Sequence, residues 1–199
     1  MIVHNDLVQG SEEWLKIRLG KLTGSDFHVL MGSSATKENI LYKKAAERLT
    51  GVASDGDRFS SIHTERGHQL ENDARTAYEL ETGNVVTQVG FVELDEFVGC
   101  SPDGLIGNIG IEIKCKDNHG FLKAVTKNYI EPEHKTQMQF NMYVCNLEWM
   151  DYLLYNPNFS NPLFTIQYER DDEYIETIKT HIIECNKKIN GYVAEFNKL

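Results

Sequence analysis

Two carboxylates and an amine lie close together in the stretch GCSPDGLIGNIGIEIKCK, residues 99–116: Asp103 after Pro102, then Glu112, then Lys114. Two carboxylates with water between them make an oxygen site suited to Mg2+ or Mn2+. An ion held there can bind a scissile phosphate, stabilise the charge that grows on it, and lower the pKa of an attacking water. The lysine can position or deprotonate that water, or stabilise the transition state. The carbonyl of Ile113, between the two side chains, can add a ligand.

This chemistry needs a backbone that brings the three side chains together. Residues 109–115, Ile-Gly-Ile-Glu-Ile-Lys-Cys, alternate as a strand does. Ile109, Ile111, Ile113 and Cys115 share one face, expected to enter the core. Glu112 and Lys114 share the other, expected to be open. Asp103 ends the preceding strand at an Asp-Gly turn, and a hairpin can set it beside Glu112. Each piece alone is also ordinary, since Asp-Gly is a common turn pair and Glu-x-Lys is what a half-exposed strand looks like. In this order and spacing they resemble the D-x(n)-E-x-K pattern of the PD-(D/E)xK nuclease superfamily, with Pro102 in place. That resemblance implies a further acid on a preceding helix. Glu71 in RGHQLENDA is the candidate, although by itself it reads as a surface helix acid.

The elements around the motif follow from caps and periodicity. Ser11 before Glu12 and Glu13 opens a helix that would bury Trp14, Leu15 and Leu19 and stop at Gly20. A short helix capped near Thr23 or Ser25 follows, then one over 38–50 ended by Gly51, and a strong one over 65–82. Residues 84–116 form a β-meander, 131–146 a helix, WMDYLLYNP and PLFTIQYER two strands, and Asp171 opens a last helix to about Asn197. The expected architecture is a single α/β domain over 1–199, with a mixed central β-sheet flanked by helices.

Composition narrows the setting. No apolar run approaches membrane-span length, and the first residues lack the basic start and apolar stretch of a signal peptide, so a cytoplasmic protein with no membrane partner is expected. The four cysteines are scattered without a C-x-x-C pair, which argues for free thiols and against zinc. The net charge of −10 disfavours a nucleic-acid partner at first sight. Its distribution is uneven, however: residues 14–50 carry 7 basic and 3 acidic side chains, residues 51–111 carry 3 and 11. A local basic groove is compatible with an acidic whole, and so is a solvated helical face.

Several blocks, in order over about residues 14–145, resemble one family, the lambda exonuclease group or YqaJ-like viral recombinases. WLKIRLGKLTGSDF is similar to its N-terminal W-x-x-x-R-x-G-x-x-T-x-S block, and GHQLENDARTAYE to its G-x-x-x-E helix. CSPDGLI with GIEIKCK is similar to its catalytic hairpin, and HKTQMQFNMYV to its Q-x-Q helix. The resemblance implies a restriction-endonuclease-like core. It implies Asp103, Glu112 and the Ile113 carbonyl as metal ligands, Lys114 as catalytic lysine, and Glu71 binding a metal directly or through water. Gln137 would be the active-site glutamine, with Gln139 pointing elsewhere. Arg18, Ser25 and Ser101 would hold a DNA 5′-phosphate, which a guanidinium fork and two hydroxyls suit chemically; Ser25 can equally be a plain helix cap.

The implied activity is a 5′→3′ exonuclease on linear double-stranded DNA. It would leave a 3′ single strand for phage-type recombination in an infected or prophage-bearing bacterium, using Mg2+ (or Mn2+), two ions per site. The implied assembly is a homotrimeric ring threaded by DNA, with a single-strand annealing recombinase as partner. Lys16, Lys21, Lys37, Lys43 and Lys44 could line the channel. Where the family's strand-separating wedge is apolar, this chain has Thr64, with Ile62 nearest, so strand separation would work differently. Arg66 could serve DNA or cap the acidic helix. The alternatives are another nuclease of the superfamily, of the restriction or Cas4-like kind, and a non-catalytic DNA-end-binding protein.

Overall fold

The structure, a computed structural model, describes the backbone of residues 1–53 and 61–199 and the side chains of 1–53 and 69–199. Ile62, Thr64 and Arg66 therefore lie outside the described side chains.

The chain opens with strand β1 (Ile2–His4) and helices α1 (Glu12–Arg18), α2 (Gly24–Met31), α3 (Ala35–Thr50) and α4 (Ser61–Thr82). Strands β2 (Phe91–Glu93), β3 (Gly99–Cys100), β4 (Gly104–Ile106) and β5 (Ile109–Cys115) follow, then α5 (Asn118–Lys127), α6 (Pro132–Cys145), β6 (Trp149–Tyr155), β7 (Leu163–Glu169) and α7 (Asp172–Phe196). Local chemistry accounts for the helix ends. Ser11 accepts from the Trp14 amide to start α1, and Ser34 does the same for Lys37, so α3 begins earlier than its apolar pattern suggests. Gly51 closes α3 in the left-handed region at φ 66°.

The expected single sheet is two. β1-β2-β3 is a small antiparallel sheet, and β4-β5-β6-β7 is mixed, with β5 and β6 parallel and the outer pairs antiparallel. The meander breaks at Ser101-Pro102-Asp103, where proline has no N–H to give a ladder. Most of the expected strand over 84–90 is irregular and makes only the Thr87–Leu105 bridge. Two elements were unanticipated, β1 and α5. The latter is nucleated by Asp117, whose carboxylate accepts from the Gly120 amide at 2.6 Å.

The two faces of β5 meet different partners. Ile111 and Ile113 pack with Leu153 of β6 against Ala74 and Tyr78 of α4. The opposite face, carrying Glu112 and Lys114, is not open as the alternation alone suggests: Glu112 is 1% exposed. A parallel β5–β6 pair needs a crossover, and that crossover lays α6 over this face. Burying an apolar side chain such as Ile111 contributes about 1.5–3 kcal/mol. Burying an unpaired carboxylate would cost more than that gain, so Glu112 has to be paired where it stands. In α1 only Trp14 is buried; Leu15 and Leu19 are half-buried.

Candidate active site

The β4–β5 register builds the acidic pair. Gly104 lies opposite Ile111, so Asp103 continues the line beside Glu112. The Ile113 amide donates to Asp103 Oδ2 at 2.6 Å, and Nη2 of Arg75 on α4 donates to the Asp103 carbonyl at 3.1 Å. On Glu112, Oε1 accepts from Lys114 Nζ at 2.7 Å and Oε2 from Asn141 Nδ2 at 3.4 Å. Lys114 is two residues along the same strand, as the alternation requires.

Electrostatics follow from this burial. Burial pushes the Glu112 carboxyl up to about 7, against the pull of Lys114 and with Asp103 and Glu71 pushing the same way. Burial also raises Asp103, opposed by Lys114 and the Ile113 amide. Lys114 would be lowered by burial, but the surrounding carboxylates outweigh it and hold it as an ammonium.

A second group adjoins this one. Arg18 Nη1 donates to Ser101 Oγ at 3.3 Å, and the Trp14 indole N–H donates to the same oxygen at 2.9 Å. The Arg18 guanidinium carbon lies over the Trp14 ring, 4.1 Å from its centre, within cation–π range. Its Nη2 reaches Thr23 Oγ1 at 3.5 Å, and the Thr23 and Ser25 hydroxyls are 3.3 Å apart. Thr23 rather than Ser25 is the N-cap of α2, yet it makes no capping hydrogen bond, so the first amides of that helix are not closed off by it. Gly24 lets α2 press onto α6: a Cβ there would come 2.9 Å from Asn141 Oδ1.

Both groups open into one cavity of about 270 Å3, which Arg18, Ser25, Glu71, Ser101, Asp103, Glu112, Ile113, Lys114 and Gln137 all line. Every residue singled out in the sequence for the site is therefore brought together. Gln139 points away, donating to the Glu169 carbonyl and accepting from the Asp171 amide. Gln9, Trp14, Thr23, Gly24 and Asn141 complete the lining. Of these, Gln9 and Asn141 were missed. Gln9 ties the Val89 and Pro102 carbonyls together at 2.9 and 3.1 Å. Asn141 lies one helical turn beyond Gln137, a spacing that could have flagged it.

The donor set fits a hard dication in a sparse mode. Among the described residues no three His, Cys, Asp or Glu side chains close into a cage, so Glu71 shares the cavity without completing one. Mg2+ keeps several waters and takes one or two carboxylates. Asp103 and Glu112, with the Ile113 carbonyl beside them, meet that requirement, and their crowded negative charge would be relieved by it.

Two of the lysines considered for a DNA channel are spent inside the chain. Lys21 is buried against Glu93 at 2.8 Å and the Glu96 carbonyl at 2.6 Å; Lys44 is buried beside Glu47 at 3.4 Å. Lys16 is exposed, and Lys37 and Lys43 are half-buried. The four cysteines are free; two far apart in sequence, Cys100 and Cys145, meet at 3.4 Å in the core. No described helix is long and apolar enough to cross a membrane.

Comparisons with known proteins converge. The model of the YqaJ-like viral recombinase domain matches residues 13–148. The alkaline exonuclease LHK-Exo of Laribacter hongkongensis superposes with a TM-score of 0.86 at 30% identity, over 94% of this chain and 97% of that one. The same exonuclease in complex with dAMP gives 0.87 at 31%, over the same shares. A phage-related exonuclease of Haemophilus somnus 129PT shares the fold, with a TM-score of 0.64 at 17% identity over 88% and 96% of the two chains. The core is restriction-endonuclease-like, as expected. No curated protein sequence matches.

Proposed function

The chain belongs to the YqaJ-like viral recombinase domain family, and from that premise we propose that it is a metal-dependent 5′→3′ exonuclease acting on linear double-stranded DNA. One observation carries this reading: Arg18, Ser25 and Ser101, which we read as an anion pocket, line the same cavity of about 270 Å3 as Asp103, Glu112 and Lys114. An enzyme that cuts within a duplex has no use for such a pocket beside its hydrolytic group. An end-dependent enzyme needs it, because the terminal phosphate sets which bond is reached.

The roles follow from placement. Arg18 offers a planar fork and the two serines offer hydroxyls to the terminal phosphate. Asp103 and Glu112 would hold Mg2+ or Mn2+, which when bound polarises the scissile phosphate and activates water. Glu71 borders the same space and suits a water-bridged contact, and a second ion would sit on its side. Gln137 lines the cavity from α6, where its amide can orient water. Lys114, an ammonium paired with Glu112, suits stabilisation of charge on the phosphorus oxygens. Attack by water on phosphorus expels the 3′-oxygen of the terminal nucleotide. The phosphate then stays on the shortened strand and a nucleoside 5′-monophosphate leaves. Each turnover thus regenerates a 5′-phosphate for the Arg18 pocket. That LHK-Exo is described in complex with dAMP supports a mononucleotide product here.

The biological setting we infer from the family is phage-type recombination in a bacterial cytoplasm, with a homotrimeric ring on DNA and a single-strand annealing recombinase taking up the 3′ strand. Light scattering in solution tests the trimer; a monomer with and without DNA would refute it. The activity is tested with one plasmid, supplied closed or linearised, with 5′-phosphate or 5′-hydroxyl ends, in Mg2+ or EDTA. The reading predicts rapid loss of the phosphorylated linear form alone. Equal cutting of the closed circle, or digestion that survives EDTA, would overturn it.

A further inference from the structure

Behind the acidic pair, on the side of α4, stands a cation that the hydrolytic reading above does not use. Arg75 reaches from α4 across 28 residues of sequence to the Asp103 carbonyl, at 3.1 Å. Its other terminal nitrogen, Nη1, donates to Asn72 Oδ1 at 2.8 Å, and that oxygen also accepts from Gln88 at 3.3 Å. The third donor of the fork, Nε, is buried and finds no acceptor among the described residues. A fork held at both tips with its inner N–H unsatisfied is aimed by those tips, at a cost the fold tolerates.

The tips join the two elements that carry the acids. Glu71 sits one turn before Arg75 on α4, and Asp103 sits on the turn into β4. From the other side, the Ile113 amide holds the Asp103 carboxylate at 2.6 Å. Asp103 is therefore gripped at its backbone by α4 and at its side chain by β5. Charge adds a second effect. Asp103, Glu71 and Glu79 all act on the Arg75 guanidinium. The cations that line the cavity beside Glu71, Asp103 and Glu112 are Lys114 and Arg18, and Arg18 donates to Ser101.

We propose that Arg75 is a positioning residue for the acidic site: its fork fixes Asp103 relative to Glu71, and its charge lowers the site's affinity for a divalent cation below what the carboxylates alone would give. The inference rests on the nuclease reading above. It predicts opposite effects on metal binding and on turnover, which loss of fold cannot produce. A unit charge about 8 Å from a dication changes its affinity roughly fivefold even with water-like screening.

The test measures Mn2+ binding by calorimetry and turnover on 5′-phosphorylated duplex at saturating metal, for the parent, Arg75→Met, Arg75→Lys and Asn72→Ala. Circular dichroism gives the folded fraction. Arg75→Met should bind Mn2+ about fivefold more tightly and turn over at least tenfold more slowly per folded molecule. Arg75→Lys should bind Mn2+ as the parent does and still turn over slowly, because one ammonium cannot hold both the Asp103 carbonyl and Asn72. Asn72→Ala, at an exposed position, should stay folded, keep the parent's Mn2+ affinity, and lose severalfold in turnover. Should Arg75→Met not fold, Arg75→Gln, which also removes the charge, takes its place with the same expected and the same refuting outcomes. Mn2+ binding that is unchanged or weaker in Arg75→Met overturns the proposal. So does turnover within twofold of the parent in Arg75→Lys and Asn72→Ala. A parent that neither binds Mn2+ nor cuts DNA overturns the nuclease reading and this inference together; a parent that does both, with variants that match it, overturns this inference alone.

Discussion

Replacing Arg18 by alanine should separate recognition of the DNA end from the chemistry beside it. The guanidinium carbon lies over Trp14, 4.1 Å from the ring centre, and the group already donates to Ser101 and Thr23. A charge-assisted hydrogen bond contributes about 1.5–3 kcal/mol. Arg18 would exchange hydrogen bonds it already makes, such as those to Ser101 and Thr23, for phosphate oxygens, so the net gain is at the lower part of that range, about 2 kcal/mol, or roughly 30-fold in affinity. Arg18→Ala should therefore raise KM for 5′-phosphorylated duplex about 30-fold, leave KM for 5′-hydroxyl duplex nearly unchanged, and alter kcat at saturating DNA little. Loss of the stacking on Trp14 should also cost about 1 kcal/mol of stability, read in a thermal melt. Arg18→Lys keeps the charge and loses the planar fork, and should fall between parent and alanine. The assay is steady-state digestion of two duplexes that differ only in the 5′ end. A variant that slows both substrates equally, or that keeps the parent's preference for phosphate, would refute the assignment of this pocket.

Three further outcomes follow from named contacts. Asn141→Leu leaves Glu112 Oε2 without its amide donor at 3.4 Å, and should reduce turnover about tenfold with little change in melting temperature; unchanged turnover would remove Asn141 from the site. Gly104→Ala places a Cβ 2.2 Å from Val86 Cγ1, beside Asp103, and should destabilise by about 1–3 kcal/mol in chemical denaturation. For Glu131, burial alone would raise the carboxyl, but Lys116 at 2.6 Å and the Tyr152 hydroxyl outweigh it and hold it down to about 2. A carboxyl depressed in the folded state adds stability that is complete above its unfolded pKa and is lost as pH falls towards 2. One edge of the pair faces water, so Glu131→Gln should cost about 1 kcal/mol at pH 7, shrinking below pH 4 in urea titrations.

How much of this could be read before folding depends on the range of each interaction. Glu112 and Lys114 declared themselves through period-two alternation, which is local, and Asp103 through its turn. Arg18, Ser25 and Ser101 were reached by resemblance to a family, since nothing local links residues so far apart. Asn141 and Arg75 escaped because their meaning lies in contacts with Glu112 and Asp103 across 29 and 28 residues. The burial of Glu112 was misread for the same reason: alternation gives the face of a strand but not what a parallel crossover will lay on it. The division into two sheets could have been suspected at Pro102. Helix α5 hid behind its glycine and β-branched residues, which weaken helix propensity, although Asp117 caps it well.

The claim on which the rest depends is that the Arg18 pocket and the Asp103–Glu112–Lys114 group act on adjacent phosphates of one strand. A blunt duplex labelled with radioactive phosphate at its 5′ ends, digested briefly with Mg2+, tests this directly when the first products are resolved by chromatography. The account predicts that the label leaves as a nucleoside 5′-monophosphate, that none is released by Lys114→Ala, and that the 3′ ends stay intact. Label appearing in oligonucleotides, or remaining on strands that shorten from the 3′ end, would contradict it.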